Sequence, residues 1–281
     1  MATVGKAAIV LEGGALRSAH GGGFLHALHT ELGIAPDMVI GSSADGGNAI
    51  YYSAGQTEQL KRIWTVHLST WRFIALWRFW RVINVDYLVD VVLKKYEPLD
   101  LARAKGDPIA WFASVTDFDS GSYRYISARD GLDPFEVMRA SAAMPVLFRG
   151  KIRLNGRRYI DGDVGVTLED HVRFAIAQGA DRLVLLRHNP YWSRTSRFLT
   201  ELWARSLSPG LRRALEHDMS EDAVRLKFPG IKIILLMPRD LPVRNPIDNR
   251  KAHLLATWDR GYADALALKD ELRELFSPPS T

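Results

Sequence analysis

Short apolar runs that stop at glycine recur along this 281-residue chain, and the first two set the architecture. "KAAIVL" (6–11) reads as a buried strand, closed by Glu12-Gly13-Gly14. Phe24, Leu25, Leu28 and Leu32 then keep helical spacing through 22–32, and Gly33 stops the helix. "DMVI" (37–40) is a second strand, and the residues after Ser43 open a second helix. Strand, glycine loop, helix, strand, sharp bend, helix predicts an α/β fold with a mainly parallel central sheet and helices on both sides.

The same alternation continues. "IAWFASVTDF" (109–118) reads as a buried strand, followed across "DFDSG" by "SYRYIS" (122–127). "KIRLNGRRYI" (151–160) is a hairpin turning at Asn155-Gly156, a pair suited to two successive residues of positive φ. "DRLVLLR" (181–187) and "IKIILLM" (231–237) are late core strands, and one long helix through about 249–275 ends before Pro278-Pro279. Strands recur from end to end without an internal repeat, so 1–281 is expected to be a single domain, with 191–281 adding helices and a late strand.

Composition narrows the class. The chain is 47% hydrophobic and 25% charged, as a globular protein is. A net charge of +5 is mild for this length and speaks against a nucleic-acid partner. With no cysteine there are no disulfides and no thiolate chemistry, which fits a reducing compartment. The apolar run at the N-terminus is too short for a secretory signal, and no stretch reaches the length of a membrane span, so a cytoplasmic protein is expected. Residues 61–95 stand apart, with seven basic residues against two acidic ones, the same +5 excess as the whole chain, together with Trp64, Trp71, Phe73, Trp77, Phe79 and Trp80. Such a basic, aromatic, helical insert or lid has two readings: peripheral contact with a lipid surface through 64–81, or core and lid tryptophans with arginines reaching outward.

Three features carry chemistry. Backbone N–H groups of Gly13, Gly14 and Ala15, in the turn between the first strand and first helix, are placed to hold a developing oxyanion, although a glycine turn also serves close strand–helix packing. Neither G-x-G-x-x-G nor a Walker pattern begins at Gly13, which excludes the nucleotide-loop reading. "MVIGSSADGGNAI" (38–50) then breaks at Gly41-Ser42-Ser43, as a nucleophile elbow does, with Ser43 at the start of a helix whose positive end faces its oxygen; a serine here also serves as a simple helix cap. Finally "RRYIDGDVG" puts Asp161 just past the hairpin, with Gly162 leaving space around its carboxylate.

In that order these motifs resemble the patatin-like phospholipases, lipid acyl hydrolases with a Ser-Asp dyad. The family's G-G-G-x-R-G corresponds to Gly13-Gly14-Ala15-Leu16-Arg17-Ser18, its G-x-S-x-G to Gly41-Ser42-Ser43-Ala44-Asp45, and its D-G-G or D-G-A to Asp161-Gly162-Asp163. "SVTDFDSGSYRYIS" and "RASAAMPVLFRG", with Pro145, are also similar, so the likeness spans about 6–190. It implies a three-layer α/β/α fold, attack of Ser43 on a lipid or small ester, Asp161 as base, amides of Gly13, Gly14 and Ala15 as the oxyanion hole, Arg17 as anchor of that loop, and no metal or organic cofactor.

The departures define an alternative. Ala15 replaces a glycine and is tolerable unless a positive φ is needed there. Asp45 replaces the elbow glycine; its side chain is expected to enter the tightest part of the bend, and its charge to weaken the field offered to an oxyanion. Asp163 sets a second carboxylate beside the base, where like charge would raise one proton affinity. A catalytically silent chain that binds lipid or acyl chains is therefore the second reading. A Ser-His-Asp hydrolase is the rival mechanism, since His171, His188, His217 and His253 all follow Asp161, but none of them has a distinctive setting in the sequence. His20, His26 and His29 lack metal-ligand spacing.

Overall fold

The computed structural model describes residues 5–78, 81–106, 108–144, 147–148, 152–188, 198, 201–220, 228–245 and 247–277. Phe79, Trp80, Pro145 and Pro278-Pro279 lie outside the described residues, as does the side chain of His217. Strand β1 (Lys6–Glu12) is the axis of the sheet. It pairs in parallel with β2 (Met38–Gly41) on one side and with β7 (Ala180–Arg187) on the other, and β3 (Ala110–Asp117) and β8 (Lys232–Leu236) extend the parallel set outward. Three antiparallel strands complete it: β4 (Tyr123–Ser127) and β6 (Arg157–Ile160) against β3, and β5 (Ile152–Leu154) against β6. The β5–β6 hairpin turns on Asn155 and Gly156 at φ 47° and 79°, the conformation that the Asn-Gly pair predicts.

Both faces of the sheet are covered, because alternate residues of a strand point to opposite sides. Ile9 and Leu11 join one apolar layer with helices α1 (Ala19–Thr30), α2 (Ala44–Ser53) and α8 (Lys251–Ala267). Ala8 and Val10 join the other, beneath Leu168, Val172 and Ala175 of α6 (Leu168–Ala177). The short helices α3 (Thr57–Arg62), α4 (Leu101–Lys105) and α5 (Pro134–Ser141) precede α6, and α7 (Pro209–Ser220) follows β7. A break at Leu268 divides the expected single C-terminal helix into α8 and α9 (Lys269–Phe276), and it turns Leu272 and Leu275 into the core.

Among its described residues the 61–95 segment is helical only at its ends, where wide turns at Ile63–His67 and Tyr87–Tyr96 close through five-residue hydrogen bonds such as Leu68 N to Ile63 O at 2.9 Å. Its middle is irregular, joined by a bridge between Ile74 and Ile83 and by Arg78 Nη2 donating to the Trp71 carbonyl at 3.0 Å. Trp64 and Phe73 are buried, whereas Trp71 and Trp77 are 64% and 67% exposed, which removes these two tryptophans from the core. Among the described residues no helix is long and apolar enough to cross a membrane.

Helix α1 carries Gly21-Gly22-Gly23 in its interior, a costly choice for helix propensity that close packing explains. A Cβ at Gly23 would lie 2.0 Å from the Trp258 carbonyl of α8, and one at Gly22 would lie 2.7 Å from the Trp258 ring. Gly23→Ala is therefore expected to destabilise the fold by about 2–3 kcal/mol in urea denaturation. Gly47→Ala, in α2 with nothing within 4 Å of the new methyl, is expected to raise stability by roughly 0.5–1 kcal/mol.

Candidate active site

Strands β1 and β2 run in the same direction and pair Leu11 with Gly41, so the turns that follow them emerge side by side at the carboxyl edge of the sheet. The second turn is sharp. Ser43 has φ 51° and ψ −128°, a conformation worth about 1–3 kcal/mol of strain for a residue with a side chain. Two contacts hold it there: Ser43 N–H donates to Ser141 Oγ at 3.0 Å, and Ser43 Oγ donates to Asp161 Oδ2 at 2.8 Å. Gly41 makes the bend feasible, because a Cβ there would lie 2.2 Å from the Asp45 carbonyl oxygen.

Asp161 directly follows β6 and is buried. Its Oδ1 accepts the Asp163 amide at 3.0 Å, capping the tight turn at Gly162–Val164 and aiming Oδ2 at Ser43. A Cβ on Gly162 would stand 2.4 Å from the Ser114 carbonyl, so this turn lies directly on β3.

In the first turn, a Cβ at Gly13 would lie 2.6 Å from Ser43 Cβ. The Gly13 amide donates to Asp163 Oδ1 at 3.3 Å. Among the described residues the Gly14 and Ala15 amides donate to no acceptor. Ala15 sits at φ 50°. Glycine's freedom is thus used at this position, which is the condition under which the alanine was expected to matter: it costs about 1–2 kcal/mol of backbone strain. Arg17 donates its backbone N–H to Gly14 O at 3.0 Å, closing the loop. Burial lowers the pKa of its guanidinium, with Glu12 opposing the shift.

Asp45 does not fill the elbow, contrary to expectation. Its carboxylate is fully buried but turned toward α1, where it accepts from Asn48 Nδ2 at 2.7 Å and meets His188 Nδ1 at 3.1 Å. Room comes from Gly21, whose Cβ would lie 2.5 Å from Asp45 Oδ1. Asp163 has its pKa raised to about 6, and here too the reason differs from the expected one: burial is the largest cause, hydrogen bonds from Ser42 and Gly13 oppose it, and like charge comes from Asp45.

No histidine is hydrogen-bonded to Ser43 among the described residues. His171 meets Tyr125 Oη at 2.9 Å and is held down to about 4 by burial, and His253 pairs with Asp248 at 2.8 Å. His188, which looked ordinary in the sequence, lies instead in a buried polar chain with Asp45, His20 and Asp264. Its one signal in the sequence is the acid at position 45, which a glycine-demanding elbow would not tolerate without a partner. Among the described residues no group of three or more acidic or histidine side chains could hold a metal ion.

Beside Ser43 opens an apolar cavity of about 670 Å³, its mouth included. Ser43 and Ala15 lie on its wall, and residues 60–93 supply much of the remainder, including Leu60, Trp64, Phe73 and Ile83. Trp64 is fixed by its indole N–H donating to Asn48 Oδ1 at 2.8 Å.

The family model described as "Patatin-like phospholipase" matches residues 9–166. Uncharacterized protein YjjU of Escherichia coli (strain K12) is 27% identical over 239 residues, which is 77% of this chain and 62% of that protein, so the chain spans about three-fifths of that relative's length. VipD from Legionella pneumophila, a crystal structure, superposes with a TM-score of 0.54 at 13% identity, over 95% of this chain and 67% of that one.

A carboxyl whose folded pKa is raised contributes stability that is full below its unfolded value and is lost as pH climbs through about 6. Asp163→Asn should therefore stabilise the protein by about 3 kcal/mol near pH 8 and by less than about 1 kcal/mol near pH 4, measured by urea denaturation at both.

Proposed function

The chain belongs to the patatin-like phospholipase family, and from that premise we propose that it is a serine-dependent hydrolase of lipid carboxylic esters. The observation that carries this reading is the 2.8 Å hydrogen bond from Ser43 Oγ to Asp161 Oδ2 at the wall of an apolar cavity. Ser43 Oγ attacks the ester carbonyl carbon and its proton passes to Asp161. The carbonyl oxygen becomes an oxyanion within reach of the Gly13, Gly14 and Ala15 loop, where the Gly14 and Ala15 amides have no other acceptor among the described residues and the positive end of α2 adds its field. Collapse expels the alcohol, which takes its proton from Asp161, and leaves an acyl-serine. Water then attacks with Asp161 again as base, releasing the fatty acid and restoring the hydroxyl.

The cavity accounts for the lipid preference. Its wall is almost wholly apolar, so an acyl chain gains from desolvation there, about 0.8 kcal/mol per buried methylene. The outer surface of the same segment presents Trp71, Leu76 and Trp77, 64–67% exposed, with Arg72 exposed among them. Indole rings at headgroup depth and an arginine facing anionic lipid suit peripheral membrane contact, and Phe73, between these residues in the chain, lines the cavity.

A fluorophosphonate probe followed by peptide mapping tests the reading. Label should appear on the Ser43 peptide, vanish in Ser43→Ala and slow by about 10²–10⁴-fold in Asp161→Asn. No label anywhere would leave the acyl-binding, non-hydrolytic alternative. Trp71→Ala with Trp77→Ala should weaken co-sedimentation with anionic vesicles about tenfold or more and leave hydrolysis of a short soluble ester unaltered; equal vesicle binding would discard the membrane surface.

A further inference from the structure

Four titratable side chains form a buried line that reaches the elbow without touching Ser43. Asp45 Oδ2 meets His188 Nδ1 at 3.1 Å, His188 Nε2 meets His20 Nδ1 at 3.1 Å, and His20 Nε2 meets Asp264 Oδ2 at 3.0 Å. Asp45, His188 and His20 are each at most 1% exposed. Asp264, on α8, also accepts from Arg260 Nε at 2.8 Å.

Hydrogen-bond counting fixes the protonation of the line. Three contacts require three hydrogens, and two neutral imidazoles bring only two. Burial holds His20 down to about 4, so it is neutral with one ring hydrogen. Burial works to raise the pKa of Asp264, but the hydrogen bonds from His20 and Arg260 outweigh it, so Asp264 is an anion and His20 Nε2 must donate to it. That leaves His20 Nδ1 bare, and His188 Nε2 must donate to it. His188 Nδ1 then confronts two acceptors, Asp45 Oδ2 and the Glu12 carbonyl at 3.2 Å. One further proton is therefore needed at the Asp45–His188 end. Among the described residues other charges near this end are Asp163, on the turn after β6, the Glu12–Arg187 pair at 3.2 Å, and Arg17, whose guanidinium feels Glu12.

The place of His188 gives this proton a use. Its ring lies on the glycine turn, where a Cβ at Gly14 would be 2.6 Å from His188 Cβ, and its Nδ1 lies against Glu12, the last residue of β1. Through Asp45 it also grips the first turn of α2, two residues beyond Ser43.

We propose that His188 is a positioning residue which, by sharing one extra proton with Asp45, clamps the Glu12–Ala15 loop to the start of α2 and so sets the span between the loop amides and Ser43. The shared proton also cancels the Asp45 charge that would otherwise oppose an oxyanion. Without that proton two acceptors would face each other across the Asp45–His188 contact, and nothing would hold the clamp closed. The clamp itself is independent of the hydrolase reading, and only its effect on rate rests on it.

Imidazole ¹⁵N NMR of the intact protein reads the assignment directly. Expected near neutral pH are a hydrogen on His188 Nε2 and a bare His20 Nδ1; the reverse, a bare His188 Nε2 with a hydrogen on His20 Nδ1, moves the extra proton to Asp264 and overturns the proposal. In Asp45→Asn the amide N–H supplies the missing hydrogen, so His188 Nδ1 should be bare in this variant while Nε2 keeps its hydrogen. A bare His188 Nε2 there also overturns it. On the reactive side, His188→Ala should slow fluorophosphonate labelling of Ser43 about 10–100-fold and, in ester hydrolysis, lower kcat with KM held. Unchanged labelling in a folded His188→Ala would reject the positioning role. If the native protein takes no label, the hydrolase reading fails, and the NMR experiments still decide the clamp.

Discussion

Where the turns after β1 and β2 meet, there is space for hydrogen and nothing larger. A methyl on Gly13 would collide with the Ser43 side chain, and one on Gly41 would collide with the backbone of α2. This contact forces the strained backbone of Ser43, and the strain persists because Ser141 and Asp161 grip it from two further elements. It also sets backbone amides beside a hydroxyl at the end of a parallel sheet, where the helix behind the serine turns its positive end toward both. The geometry of the site follows from how closely two loops approach.

That approach leaves no slack for the acid that stands where the elbow glycine is expected. Asp45 is accommodated by displacement: α1 gives up a side chain at Gly21, and the carboxylate passes into the gap toward His188. Burial of one carboxylate in this way would be expensive alone, so its oxygens are taken up by Asn48 and the imidazole. Asn48 in turn holds the Trp64 indole, which links the polar interior to the wall of the apolar cavity.

The α/β architecture was legible because it is written in local patterns. Apolar runs ended by glycine marked β1 and β2, the apolar run after Gly179 marked β7, and the Asn155-Gly156 pair marked the hairpin within about a residue. The three motifs also named residues that prove to be neighbours: Ser43 and Asp161, 118 positions apart, are in hydrogen-bond contact. What escaped is non-local and aperiodic. Asp45 and His188 are separated by 143 positions, and His20 and Asp264 by 244, so no spacing rule connects them. The reading of Asp45 went astray because sequence gives a side chain's address and not its direction, and the vacancy at Gly21 lies on another helix. The 61–95 segment was misjudged in part for a related reason: its five-residue turns and irregular middle follow neither the helical nor the strand period, so Trp64 and Trp71 look alike in the sequence although one is buried and the other exposed.

The packing of α1 on α8 has a consequence in time. Residues 9–166 carry the serine, the aspartate and the glycine turn, yet the surface that α1 presses its glycines against, and the carboxylate that orients His20, come from residues 251–267. During synthesis a nascent chain therefore holds a complete set of motifs long before it holds their support. Until residues 251–267 leave the ribosome, the glycine face of α1 lacks its partner, so the frame around Ser43 is completed only after every motif has been made.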